Sequence, residues 1–163
     1  MHVTEKIKVI SGKSVKPITN KHKQVIDKLE LMLEKGIPDL TMSELAAKLK
    51  VSLRTLYEIA PSKDHLIRMT VNRILMKLGK EALDIIAEID SPLEKLKKYL
   101  QHANQAVGPR FKVYLQNLGN NIQSKEMIDY HEDYITSYTK ELLDDAIAQN
   151  EIKTIEPRHL HCF

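Results

Sequence analysis

Apolar residues along this chain recur at the three-and-four spacing of amphipathic helices, and no useful length alternates in the two-residue period of a strand. Between Lys21 and Lys35 they fall at Val25, Ile26, Leu29, Met32 and Leu33, one stripe of a helix that Gly36 ends. Thr41-Met-Ser-Glu44 is a capping-box start, and Met42, Leu45, Ala46 and Leu49 give the buried stripe of a short second helix. A third begins at Ser52, which can cap it, and carries Leu53, Arg54, Thr55, Leu56 and Tyr57. Only Lys50 and Val51 lie between the second helix and the third. So tight a connection forces a steep crossing, the helix-turn-helix geometry.

Pro61-Ser62 closes this unit, and Ser62 caps a long helix in which Leu66, Ile67, Thr70, Val71, Ile74, Leu75 and Leu78 face a core. Ser91-Pro-Leu-Glu94 starts the next helix, with Leu96, Tyr99, Leu100 and Ala103 at helical spacing. Gly108-Pro109 breaks the chain before a shorter helix with Phe111, Tyr114, Leu115 and Leu118. A long last helix runs from about Ser124 to Asn150, with Met127, Tyr130, Tyr134, Ile135, Tyr138, Leu142, Ala146 and Ile147 predicted inward. The expectation is an all-α protein of seven helices. Residues 1–20 read as a flexible basic arm, 21–67 as a helix-turn-helix DNA-binding domain, and 68–163 as a helical regulatory domain.

Composition supports a folded helical chain: hydrophobic residues make up 42% and charged ones 29%, with five Gly and six Pro in 163 residues. The single cysteine excludes an internal disulfide framework and suits a reducing compartment. No stretch approaches the ~20 apolar residues of a membrane span, so a cytoplasmic protein without a membrane partner is expected. Net charge is +3, unevenly spread: residues 1–67 carry twelve Lys/Arg against eight Asp/Glu, and residues 68–163 carry thirteen against fourteen. The front half is the one suited to a polyanion. The arm's Lys6, Lys8, Lys13 and Lys16 fit either a solvated terminus or extra phosphate contacts.

The segment Gln24–Ile67, above all TMSELAAKLKVSLRTLYEIAPSKDHLI, resembles the DNA-binding domain of the tetracycline-repressor (TetR/AcrR) family. The resemblance is carried by Glu34-Lys35-Gly36, Thr41, Glu44-Leu45-Ala46, Val51-Ser52, Thr55-Leu56-Tyr57 and Pro61-Ser62-Lys63. It implies a sequence-specific, ligand-responsive repressor acting as a homodimer on double-stranded DNA. It also implies phosphate contacts from Thr41, Tyr57 and Lys63. Beyond residue 70 it rests on helix order alone. Members usually end in two further helices that pair the subunits, and this sequence ends without them, so a shortened regulatory domain is expected.

The residues themselves fit a reader. A recognition helix is short, anchored by an apolar face, and aims its first turns at base edges. Leu56 and Ile59 are the expected anchors; Ser52 starts the helix, and Leu53, Arg54, Thr55 and Glu58 are expected to face outward. Arg54 can grip guanine O6 and N7, Thr55 can offer a methyl or hydroxyl, and Glu58 either repels phosphate or accepts from a cytosine amine. Three positions depart from the family's pattern. Lys50 stands where Gly is usual, predicting a left-handed non-glycine residue at about 1 kcal/mol. Glu58 and Ile59 replace an aromatic or His pair, and Ala60 replaces Phe, leaving less bulk against the long fourth helix.

In the rear half, Tyr99, Phe111, Tyr114, Tyr130, His131, Tyr134 and Tyr138 are candidates for lining an effector pocket, with core packing as the competing reading. The tail's His159, His161 and Cys162 fall short of the four ligands a compact zinc site wants, so no metal or cofactor is expected. No phosphate loop, nucleophile motif or carboxylate constellation marks an enzyme. Two functions remain open: a DNA-binding regulator, or a helical interaction module whose reader has lost specific DNA binding.

Overall fold

The computed structural model describes residues 18–36, 39–106, 108–118 and 120–152; the basic arm up to residue 17 and the His/Cys tail lie outside them. Among the described residues there are seven helices and no strand, the all-α architecture expected. They are α1 (Asn20–Glu34), α2 (Met42–Leu49), α3 (Leu53–Ile59), α4 (Lys63–Ile86), α5 (Pro92–Ala106), α6 (Gly108–Asn117) and α7 (Ile122–Ala148). None of them is long and apolar enough to cross a membrane.

Local chemistry sets most of the boundaries. Thr41 caps α2 and Glu44 answers it: the Glu44 N–H donates to Thr41 Oγ1 (3.3 Å), and the Thr41 N–H donates to Glu44 Oε2 (2.7 Å). Ser52, Ser62 and Asn121 cap α3, α4 and α7 through their side-chain oxygens. The sequence pattern places Thr19 in the arm, yet it caps α1. His22 takes the place Glu or Gln usually holds in a capping box, its Nδ1 accepting from the Thr19 N–H. At the other end of α1, Gly36 turns left-handed at φ +79°.

The turn between α2 and α3 is the one the sequence predicts. Lys50 sits at φ 56°, ψ 48°, left-handed without being glycine. The Val51 N–H reaches Ala46 O (3.0 Å) and the Lys50 N–H reaches Ala47 O (3.2 Å), the paired bonds of a Schellman stop. These bonds satisfy carbonyls at the end of α2 while Val51 packs against the core, which holds Lys50 in its strained conformation.

Two cores result. The first gathers Leu29, Leu33, Leu45, Leu49, Leu56, Leu66 and Val71, and it seals Ala60, so the small residue at the end of α3 fills its site. It also takes Tyr114 and Leu118 from the end of α6. The front unit therefore does not close on itself: α6 packs on α1, with Arg110 paired to Glu34 at 3.2 Å. Ion pairs tie α4 to α1, Arg73 to Asp27 (2.7 Å) and Lys77 to Glu30 (2.6 Å). The second core, of Ala82, Ile86, Leu96, Tyr99 and Leu142, joins the far end of α4 to α5 and α7.

Candidate nucleic-acid interface

The reader helix α3 has only seven residues, and its position is fixed by three buried side chains, Thr55, Leu56 and Ile59. Leu56 is fully enclosed in the first core, and α3 packs on α2 by its inner face. Its outer face carries Leu53, Arg54, Tyr57 and Glu58, all exposed. An exposed leucine beside an arginine is a mixed apolar and cationic surface of the chemistry that suits a thymine methyl and a guanine edge.

Thr55 corrects the expectation that it faces outward. It is 5% exposed, and its hydroxyl lies 2.8 Å from Ser52 Oγ, which also accepts the Thr55 N–H at 3.1 Å. The position three residues after an N-cap folds back over the cap, so Thr55 closes the start of α3 and does not reach base edges. Ser52 itself stays exposed at the tip.

Three of the candidate phosphate or base donors have a carboxylate beside them. Arg54 Nε donates to Glu58 Oε1 at 3.1 Å, Lys63 Nζ donates to Asp39 Oδ1 at 2.6 Å, and the Thr41 hydroxyl donates to Glu44 Oε2 at 2.8 Å. The carboxyls of Glu58, Asp39 and Glu44 are all held below the usual carboxylate range. For Glu58 the Arg54 hydrogen bond is the main cause, for Asp39 the Lys63 bond, and for Glu44 the Thr41 backbone N–H. Tyr57 is 52% exposed and has its phenol open to a phosphate. The sequence pattern does not include His22 in this surface: its side chain, 11% exposed, brings Nε2 to 3.6 Å from Glu58 Oε2.

In the rear, a cavity of about 370 Å³ opens between α4, α5, α6 and α7. Leu75, Leu78, Gly79 and Ala82 form one wall. Of the candidate pocket residues, Tyr99, Phe111, His131 and Tyr134 line it, joined by His102, Asn104 and Glu132. Tyr114, Tyr130 and Tyr138 do not. Tyr114 is enclosed in the first core, where burial pushes its phenol up. Tyr130, predicted inward, is 44% exposed, as Ile135 is at 37%. Tyr138 packs edge-on against Tyr99 with ring centroids 5.0 Å apart.

Burial also pushes the Tyr99 phenol up to about 12, so it stays a neutral donor facing the space. It lowers His131, whose Nε2 lies 2.8 Å from Asn72 Oδ1. Among the described residues no lysine or arginine lines the cavity, and Glu132 is the one carboxylate. Among the described residues no cluster of three or more His, Cys, Asp or Glu is placed to hold a metal ion.

Residues 29–69 match the family described as bacterial regulatory proteins, tetR family. That span runs from the middle of α1 through α2 and α3 into the first turns of α4, the helices that build the exposed reader. No curated protein and no solved structure matches the chain.

Proposed function

From the match of residues 29–69 to the family of bacterial regulatory proteins, tetR family, we propose that this chain is a ligand-responsive repressor that binds operator DNA in the cytoplasm as a homodimer. That match supports a DNA-binding transcriptional regulator. The observation that carries the finer reading is the face of α3: Leu53, Arg54 and Tyr57 project from a helix whose other side is sealed in a core. Arg54 takes a guanine, Leu53 a thymine methyl, and Tyr57, Lys63 and the start of α2 at Thr41 take phosphates. Pairing of two chains sets two such helices about 34 Å apart on one side of the duplex. The rear cavity supports the effector: an apolar space with convergent phenol and imidazole groups, and no lysine or arginine among its described lining residues, favours an uncharged, largely apolar molecule over an anion.

Fluorescence anisotropy of labelled duplex from upstream of the gene, with excess competitor DNA and at two salt concentrations, tests the reading. Binding should survive competitor with two chains per site, and Arg54→Ala should abolish the preference while changing non-specific affinity less. The carboxylates beside Arg54 and Lys63 favour a second reading, an interaction module without specific DNA binding. Binding that competitor removes for both proteins would select it.

A further inference from the structure

Arg54 does not stand alone on the outer face of α3. Its side chain is 87% exposed, yet its Nε is committed to Glu58 Oε1. A guanidinium has five N–H donors in one plane; with Nε engaged, the four on Nη1 and Nη2 remain. Those two nitrogens are a match for guanine O6 and N7. Glu58 fixes the plane in which they lie.

Glu58 is fixed in turn. Its second oxygen, Oε2, faces His22 Nε2 at 3.6 Å, so each carboxylate oxygen has its own partner. His22 is bound into the start of α1 by both ends of its residue. Its N–H donates to Thr19 Oγ1 (3.2 Å), and its Nδ1 accepts the Thr19 N–H (3.4 Å). With Nδ1 facing the Thr19 N–H, Nε2 is the ring nitrogen turned toward Glu58. The ring is buried, so it does not turn away.

We infer that His22 is a positioning residue for base readout, acting through Glu58 to hold the Arg54 guanidinium edge-on for a single guanine. This rests on the proposal that α3 enters the major groove, and adds to it a residue on a different helix. Exposed ion pairs contribute little to stability, so the relay's effect lies in orientation. A braced arginine has already given up the rotamer freedom that a loose one loses on binding. Glu58 also repels phosphates at every sequence alike. The relay therefore lowers affinity for all DNA while sharpening the preference for one base.

Two variants separate this from a merely structural role. His22→Glu keeps the capping box of α1, because Glu is an ordinary residue at that position, but sets a carboxylate against Glu58. Glu58→Gln leaves α1 untouched and loosens the hold on Arg54. The full chain and both variants would each select from a random-sequence duplex library. Affinity would then be measured for the selected duplex and for one with its most enriched G·C pair changed to A·T.

The wild-type chain should prefer guanine by about 10-fold or more, within the range of a bidentate arginine contact. Both variants should lose most of that preference, and Glu58→Gln should gain roughly 2- to 5-fold in affinity for unselected DNA as one repulsive charge is removed. Retention of the full preference by Glu58→Gln, or by a His22→Glu protein that melts like the wild type, would overturn the relay. So would a selected motif without guanine, although the regulator reading would stand. Selection of no motif would overturn both.

Discussion

The two ends of α4 sit in opposite surroundings. At its start, Leu66 and Val71 are fully enclosed in one core with Leu45 and Leu56. Further along, Gly79 faces the cavity, and a Cβ added there would meet nothing within 4 Å. A glycine inside a helix gives up about 1 kcal/mol relative to alanine. Here close packing does not require it, since no neighbour comes near. One helix thus joins a closely packed front to a rear that encloses a cavity.

The contrast is broken most severely from the front. Leu56→Ala should cost about 3 kcal/mol or more, roughly 10 °C in Tm, and weaken all DNA binding because it unseats α3. Thermal unfolding checks this; a loss under about 1 kcal/mol would mean that the core around α3 is loose. A change in side-chain volume of the opposite sign, made in the rear, should have the opposite effect. Gly79→Leu should stabilise the chain by about 1 kcal/mol while filling the cavity, seen as a higher urea midpoint with an unchanged slope. A destabilised variant would show that the space does not exist in solution.

Two smaller effects sharpen the picture. Lys50→Gly relieves the left-handed turn at the reader and should gain about 0.5 kcal/mol, since glycine's own unfolded-state entropy offsets part of the relief. Acid should act on the rear through His131. Its folded value is below the ordinary 6.5 because burial disfavours the cation, so the unfolded chain binds more protons. Stability is then undiminished above pH 6.5 and falls as the pH drops below it. Urea midpoints at pH 7.5 and 5.5 should differ less in His131→Gln. Some slope should remain from His65, which burial and Arg68 shift the same way.

Much of the front was legible in the sequence because its signals are local. Thr41-x-x-Glu44, Ser52, Ser62 and the stripe of Met42, Leu45, Ala46 and Leu49 each specify a boundary or a face within a few residues. The left-handed Lys50 follows from the resemblance, because glycine usually holds that place in the family's turn. Thr55 was misplaced because seven residues give barely two turns of periodicity, too few to show that the third residue folds back on its cap. His22 escaped notice because histidine is an unusual partner in a capping box, and because Glu58 is thirty-six positions away. The rear resisted for a different reason. Aromatic residues at 130, 134 and 138 share one helical row, but the long α7 passes from solvent into the second core along that row. Only the crossing of α5 and α7 decides which ring meets the cavity. Tyr114 is drawn into the first core by the packing of α6 on α1, a contact no local pattern announces.

Amide hydrogen exchange of the full chain, free and bound to a duplex it has selected, tests the claim that DNA is met by the front through α3. Protection should rise at Leu53–Ile59 and at the start of α2 around Thr41, and leave the exposed face of α7 near Tyr130 unchanged. Protection confined to α7, or none at α3 under conditions where the chain is saturated with DNA, would show that this helix is not the reader.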